Sequence, residues 1–122
     1  MTPCFLKAAA PFLLAFAITT PLLAEPIEGS YSLEGANPSG STYSGKVTVA
    51  KAGTGYEVEW DIAGNKFHGG GLLQGGTLSI GFFYANQPGV VLMQIQSDAS
   101  LRGAWYYVGD NGSLGQESWT KP

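Results

Sequence analysis

The sequence predicts an all-β fold, an eight-stranded antiparallel up-and-down meander closed into a barrel. Apolar and polar residues alternate with period two beyond residue 27, and no window carries the i, i+3, i+4, i+7 apolar spacing of an amphipathic helix. Turn signals at short intervals divide this stretch into eight segments, so consecutive strands are expected to be antiparallel neighbours. A two-sheet β-sandwich is the alternative architecture.

The early segments show one apolar and one polar face. In the third of them, Val58 and Trp60 alternate with Glu57, Glu59 and Asp61, which places the three carboxylates on the face that meets water. The second segment repeats this alternation. The predicted strands, in chain order, are residues 28–34, 42–51, 55–63, 66–74, 77–85, 90–96, 100–108 and 114–120.

Glycine supplies both the turns and the curvature. An aromatic or aliphatic residue is followed two positions later by glycine at Gly45, Gly69 and Gly103, inside predicted strands. Glycine inside strands weakens a flat sheet but permits the bends that a closed barrel needs. The turns are predicted at residues 37–40, 53–55, 64–65, 75–76, 86–89, 97–98 and 110–112.

The later strands are apolar on both faces. The pattern indicates an inward set, and the residues between these would then form an apolar stripe outside the barrel, which is typical of an interface. A covering loop or N-terminal segment, or a sandwich with both faces covered, would also explain it. The inward set is Ile80, Phe82, Val91, Met93 and Trp105. The stripe consists of Phe83, Val90, Leu92, Ala104, Tyr106 and Val108.

Residues 1–24 have the composition of a secretory signal peptide, with Lys7 before a short apolar core and Ala24 at the expected cleavage site. Residues 25–122 then form a single domain that is exported, to a periplasm or outside the cell. Cys4, the only cysteine, is removed with the leader, which excludes disulfides and thiolate metal sites from the mature domain. No membrane association is expected after its removal.

Composition argues against several classes of function. A formal net charge of −3 and a pI near 4.9 do not suit a nucleic-acid partner. His68 is the only histidine, and it alternates with Phe67, so it is expected to point outward. A Ser-His-Asp site would need His68 with Asp61, Asp98 or Asp110, and no nucleophile elbow accompanies them. We therefore expect no metal, no cofactor and no enzymatic activity. An enzyme that depends on His68 is the last of three functional hypotheses, after the two binding hypotheses given below.

The order of glycine and aromatic motifs resembles a group of small exported bacterial proteins, some of which carry a fibronectin-binding label. The motifs include Gly29-x-Tyr31, Tyr43-x-Gly45-x-Val47, Tyr56-x-Val58-x-Trp60 and Leu101-x-Gly103-x-Trp105. The resemblance covers nearly all of residues 25–122 and implies a compact exported β domain. A looser resemblance to avidin-like and lipocalin-like barrels rests on the meander and on tryptophans at one barrel end. It implies a ligand site whose candidate residues include Asn37, Ser39, Tyr43, Trp60 and Trp105.

Two binding hypotheses follow. The first is an interaction module that uses the outer stripe for self-association or for a protein partner. The alternative is a small-ligand carrier with a pocket at one barrel mouth, and a cavity of about 300 Å³ or more would favour it. That pocket would lie between Tyr43, Trp60, Trp105 and Tyr107.

Overall fold

A computed structural model describes residues 26–122 and shows a closed antiparallel barrel in which each strand pairs with the next along the chain. The predicted signal peptide, residues 1–24, lies outside the described residues. No helix in the described part is long and apolar enough to cross a membrane. The strands are β1 Gly29–Ala36, β2 Thr42–Ala52, β3 Gly55–Ile62, β4 Asn65–Gln74, β5 Thr77–Tyr84, β6 Gln87–Ile95, β7 Leu101–Tyr107 and β8 Gly115–Thr120.

Pairing between the first and last strands closes the barrel. Leu33 of β1 lies opposite Trp119 of β8, and Gly35 lies opposite Glu117. This register leaves no unpaired sheet edge, which is the usual means by which all-β proteins avoid edge-to-edge association. The barrel prediction is confirmed, and the sandwich alternative is excluded.

The turns set the strand boundaries, and two of them differ from the sequence prediction. The β3–β4 turn lies at Ala63 and Gly64 rather than at residues 64–65. The chain turns at Ala85 and Asn86, both with positive φ, rather than at residues 86–89. Positive φ at both central residues is the type I′ hairpin turn, whose twist matches that of the strands it joins. Strand β6 consequently begins at Gln87 and includes Pro88 at its second position, opposite Phe83.

The barrel interior is filled at one end. Ile27, Leu78, Met93 and Leu101 are buried there, and the hydroxyl of Tyr31 donates a hydrogen bond of 2.6 Å to the carbonyl oxygen of Ile27. The predicted inward residues of β5, β6 and β7 are all buried, which confirms the parity assigned to these strands. This end is the one at which β2–β3, β4–β5 and β6–β7 connect.

Glycines lie directly opposite large rings on the inner wall. Gly35 pairs with Tyr43, Gly89 with Phe82, and Gly115 with Trp105. A Cβ atom at Gly115 would lie 2.1 Å from the Trp105 ring. The rings therefore lie across glycine backbone, a cross-strand pairing also used in β-sheet design. Each ring occupies the space that a side chain at the opposite glycine would have taken.

The outer wall has a polar side and an apolar side. Glu57 is exposed, and the carboxylate of Glu59 lies 3.3 Å from Nε2 of His68 across the β3–β4 pair. The apolar side adjoins this polar side, since Glu57 and His68 line the same groove as Phe83. Within the apolar side, the cross-strand pair Phe83 and Pro88 is followed by the pair Val90 and Tyr106. The solvated face predicted for the β3 carboxylates is thus present, and the predicted outer stripe is contiguous.

Candidate functional site

The other end of the barrel contains a cavity of about 220 Å³ that opens at the mouth. The strand connections at this mouth are β1–β2, β3–β4, β5–β6 and β7–β8, and they contribute Asn37 and Ala63 to the rim. This volume is below the value of about 300 Å³ predicted for a small-ligand carrier, so the space suits only a molecule smaller than a drug-sized ligand. Its wall is mainly aromatic, formed by Tyr43, Trp60, Phe67, Phe82, Tyr84, Trp105 and Tyr107.

The aromatic rings contact one another around the wall. Trp60 stacks on Phe67 with ring centroids 4.9 Å apart and planes inclined by only 4°. Phe67 in turn meets Tyr84 edge-on at 4.9 Å, and Tyr107 meets Trp105 edge-on at 5.4 Å. Stacked and edge-on pairs of this kind are worth about 0.5–1.5 kcal/mol each beyond the area they bury. The wall is therefore a packed set of rings whose faces are held in position.

A single carboxyl group, that of Glu117, lies at the inner end of the cavity. Its side chain is 6% exposed. Oε1 accepts hydrogen bonds from the indole N–H groups of Trp119, at 2.9 Å, and Trp60, at 3.2 Å, while Oε2 accepts one of 2.7 Å from the Tyr43 hydroxyl. Indole nitrogens can only donate, so Oε1 is an unprotonated oxygen in this arrangement. Trp119 belongs to the core of the filled half, whereas Glu117 lines the cavity. The hydrogen bond between them therefore connects the core to the floor of the cavity.

Burial controls the protonation of this cluster. Desolvation raises the pKa of Glu117, and the three hydrogen bonds from Trp119, Tyr43 and Trp60 offset only part of that rise. Burial, followed by the nearby Glu117 charge, raises the pKa of Tyr43 far above its ordinary value. Desolvation also raises the pKa of Tyr107. Both phenols therefore stay neutral near pH 7, and Glu117 is the group that can change charge.

One buried donor on the wall has no partner. Nε1 of Trp105 is inaccessible and makes no hydrogen bond to the described residues. Burial and the Glu117 charge raise the pKa of the neighbouring Tyr43, and the Trp105 indole lowers it by a smaller amount. The contact between this indole and Tyr43 does not have the geometry of a hydrogen bond. An unsatisfied buried N–H costs about 1–3 kcal/mol and calls for an explanation.

The structure brings the four residues predicted for a mouth pocket together. Tyr43, Trp60, Trp105 and Tyr107 all line the cavity. Of the further candidates, Asn37 lies at the rim, whereas Ser39 is exposed in the β1–β2 connection, where its hydroxyl lies 3.2 Å from that of Ser41.

His68 lies outside the barrel with 73% of its side chain exposed, and its neighbour is Glu59 rather than a nucleophile. Among residues 26–122, no group of three or more histidine, cysteine, aspartate or glutamate side chains could hold a metal ion.

The predicted outer stripe lies on the opposite surface of the wall. Phe83 is 66% exposed, and Val90, Leu92 and Val108 are also exposed, while Ala104 and Tyr106 are half-buried. No loop of the described chain covers them. Leu114, which precedes β8, adds to this surface and was not part of the prediction.

Sequence reasoning missed Glu117, the central polar residue of the site. The available signal was parity, because Glu117 alternates with Gly115 and Trp119 in a strand whose inward positions are otherwise apolar. A charged residue between two inward positions is a candidate for a buried functional group. That signal becomes usable once Trp119 is known to face inward.

Comparisons with known proteins support the fold alone. No protein-family model and no curated protein matches the chain. A solved structure similar to this chain is a redesigned β barrel, with a TM-score of 0.65 and 13% identity over 79% of this chain and 91% of that one. The resemblance to exported bacterial proteins with a fibronectin-binding label stays a prediction.

Proposed function

We propose that this barrel is a non-enzymatic binding protein that holds a small molecule in its mouth. The observation that carries the proposal is the cavity of about 220 Å³, which is walled by aromatic rings and ends at the buried Glu117 carboxyl. A concave, mostly apolar site with a few convergent polar groups is the general form of a small-molecule site. The leader expected in residues 1–24 would place this binding in a periplasm or outside the cell.

The site also contains two polar groups whose burial costs free energy. A buried carboxyl with a raised pKa and the unpartnered indole N–H of Trp105 lie on the same wall. Unsatisfied and perturbed groups cluster at functional sites more often than elsewhere. The volume corresponds to about seven waters at ~30 Å³ each, so the ligand has a comparable number of non-hydrogen atoms.

A ligand screen tests this proposal. Small molecules of positive, neutral and negative charge are titrated while the melting temperature and tryptophan fluorescence are recorded, since Trp60 and Trp105 line the cavity. A ligand at 100 times its Kd stabilises the fold by about 2.7 kcal/mol. We expect at least one charge class to raise the melting temperature, and a panel without any effect would refute the proposal.

Adjacent tyrosines give a matched pair of variants for the same screen. Tyr107 lines the cavity, whereas Tyr106 belongs to the outer stripe. Tyr107→Ala is expected to weaken binding about tenfold, equivalent to about 1.4 kcal/mol of lost contact. Tyr106→Ala and the exterior change His68→Ala are expected to leave the affinity unchanged. Equal losses in both tyrosine variants would place the binding site elsewhere.

A second candidate function is self-association through the outer stripe. Four exposed apolar side chains on adjacent strands form a continuous surface, with Glu57 and His68 at one margin. A second copy of the same surface would complement it in a two-fold dimer. The cavity is on the other side of the wall, so the two functions are compatible.

Sedimentation of residues 25–122 tests this second candidate. We expect a concentration-dependent dimer that Leu92→Glu and Tyr106→Glu convert to monomer, because each buries a charge in the apolar contact. Glu34→Gln, which changes an exposed carboxylate on β1 away from the stripe, serves as the control. A protein that is monomeric at all concentrations would exclude self-association, and only capture of another protein through the same residues would then support an interface.

A further inference from the structure

We infer that the mouth cavity selects a small organic cation, such as a substituted ammonium group, held between the aromatic rings and Glu117. This inference rests on the proposed ligand-binding function and names the chemistry of the ligand. It follows from the charges on the wall, the aromatic lining and the size of the space.

The charge on the wall has one sign. Glu117 is the only ionisable carboxyl among the described lining residues, and no lysine, arginine or histidine lines the cavity. The other titratable groups on the wall are the phenols of Tyr43, Tyr84 and Tyr107. A buried carboxylate without a cationic partner has no opposite charge to offset the cost of its desolvation, and an anionic ligand would add charge repulsion. A cation would supply the missing countercharge.

The carboxylate has an acceptor site left for a ligand. Two indole groups occupy Oε1, but Oε2 receives only the hydrogen bond from Tyr43. An ionised carboxylate offers about two lone-pair positions per oxygen. Oε2 can therefore accept a further donor, or approach a quaternary ammonium group, without breaking the three existing bonds.

The rings around this carboxylate provide the second element of cation recognition. Trp60, Trp105 and Tyr107 are among the seven aromatic residues that form the wall. A cation within about 6 Å of an aromatic face is attracted to the ring quadrupole, and the attraction grows when the site is desolvated. Cages of several aromatic rings are the common receptor for quaternary ammonium ligands.

The experiment compares three ligands of nearly the same shape and different charge. Choline, its neutral carbon analogue 3,3-dimethylbutan-1-ol and the anion 3,3-dimethylbutanoate each have about the number of non-hydrogen atoms that the cavity accommodates. Titrations at pH 8 are expected to give choline an affinity at least about tenfold higher than that of the neutral analogue. The anion is expected to bind more weakly than both.

The variant Glu117→Gln tests whether choline binding depends on the negative charge of this side chain rather than on its shape. The amide keeps the size of the side chain and one acceptor oxygen but removes the negative charge. We expect choline to lose about tenfold in affinity and the neutral analogue to be unaffected, with circular dichroism confirming the fold. Glu57→Gln, on the exterior, removes the same charge as a control. Equal losses of choline and the neutral analogue in the Glu117 variant would refute the assigned role of the carboxylate.

The pH profile of the unmodified protein tests the same inference if the Glu117 variant does not fold. Choline affinity should fall as the pH decreases through the range in which Glu117 becomes protonated, and the affinity of the neutral analogue should stay flat. The outcomes also distinguish the two proposals. If the neutral or anionic analogue binds best, the cation inference is wrong while ligand binding stands; if nothing in the wider screen binds, both are wrong.

Discussion

Glu117→Ala is expected to destabilise the barrel by about 3 kcal/mol, because it leaves three donors without their acceptor. Trp60 and Trp119 are almost fully buried, so their indole N–H groups cannot turn to bulk water, whereas Tyr43 is only half-buried and recovers part of its loss. Urea unfolding measures the change. Glu57→Ala, an exposed glutamate on the outer wall, should stay within about 0.5 kcal/mol of the parent protein.

The same residue gives the barrel a pH dependence of known sign. The pKa of Glu117 is raised in the folded state, so the folded protein binds its proton more tightly than the unfolded chain does. Its contribution to stability is full below pH 4.5 and is lost as the pH rises through the folded pKa. The difference in unfolding free energy between the parent protein and Glu117→Gln should change over that window. No change, or a change of opposite sign, would contradict the burial of an uncompensated carboxyl.

Gly103→Ala is expected to cost about 3 kcal/mol or more, and to prevent folding if the barrel has little stability to spare. A Cβ atom at Gly103 would lie 1.7 Å from the carbonyl oxygen of Leu92 and 2.8 Å from Sδ of Met93. The first of these is backbone, so relief requires β6 and β7 to separate and lose hydrogen bonds at that point. Thermal unfolding followed by circular dichroism measures the loss.

Gly81→Ala is the matched control, since this glycine is also inside a strand but has no atom within 4 Å of the added Cβ. Removal of glycine from an unstrained strand position lowers the entropy of the unfolded chain, and the variant should be neutral or slightly more stable. A similar loss in both variants would show that the Gly103 result reflects strand propensity rather than the close approach of β6 and β7.

The fold could be predicted from the sequence because strands and turns are indicated by patterns within short stretches of the chain. The alternation of Val58 and Trp60 with Glu57 and Glu59 fixes which face is buried, whatever the neighbouring strands are. The predicted turn positions were wrong where an alanine has positive φ, at Ala63 and at Ala85, because alanine in that conformation gives no compositional signal. The four aromatic residues predicted for the mouth lie together because consecutive hairpins bring every second connection to one end.

By itself, the sequence determined the strand number, the meander and the core-facing side of strands such as β3, because all three follow from period-two alternation and short turns between neighbours. Only the tertiary structure decided that half of the barrel is hollow. That outcome depends on which rings lie across Gly35, Gly89 and Gly115, and on the convergence of donors from β2, β3 and β8 on Glu117. These contacts join residues as far apart as Tyr43 and Glu117, and barrel closure between β1 and β8 creates them.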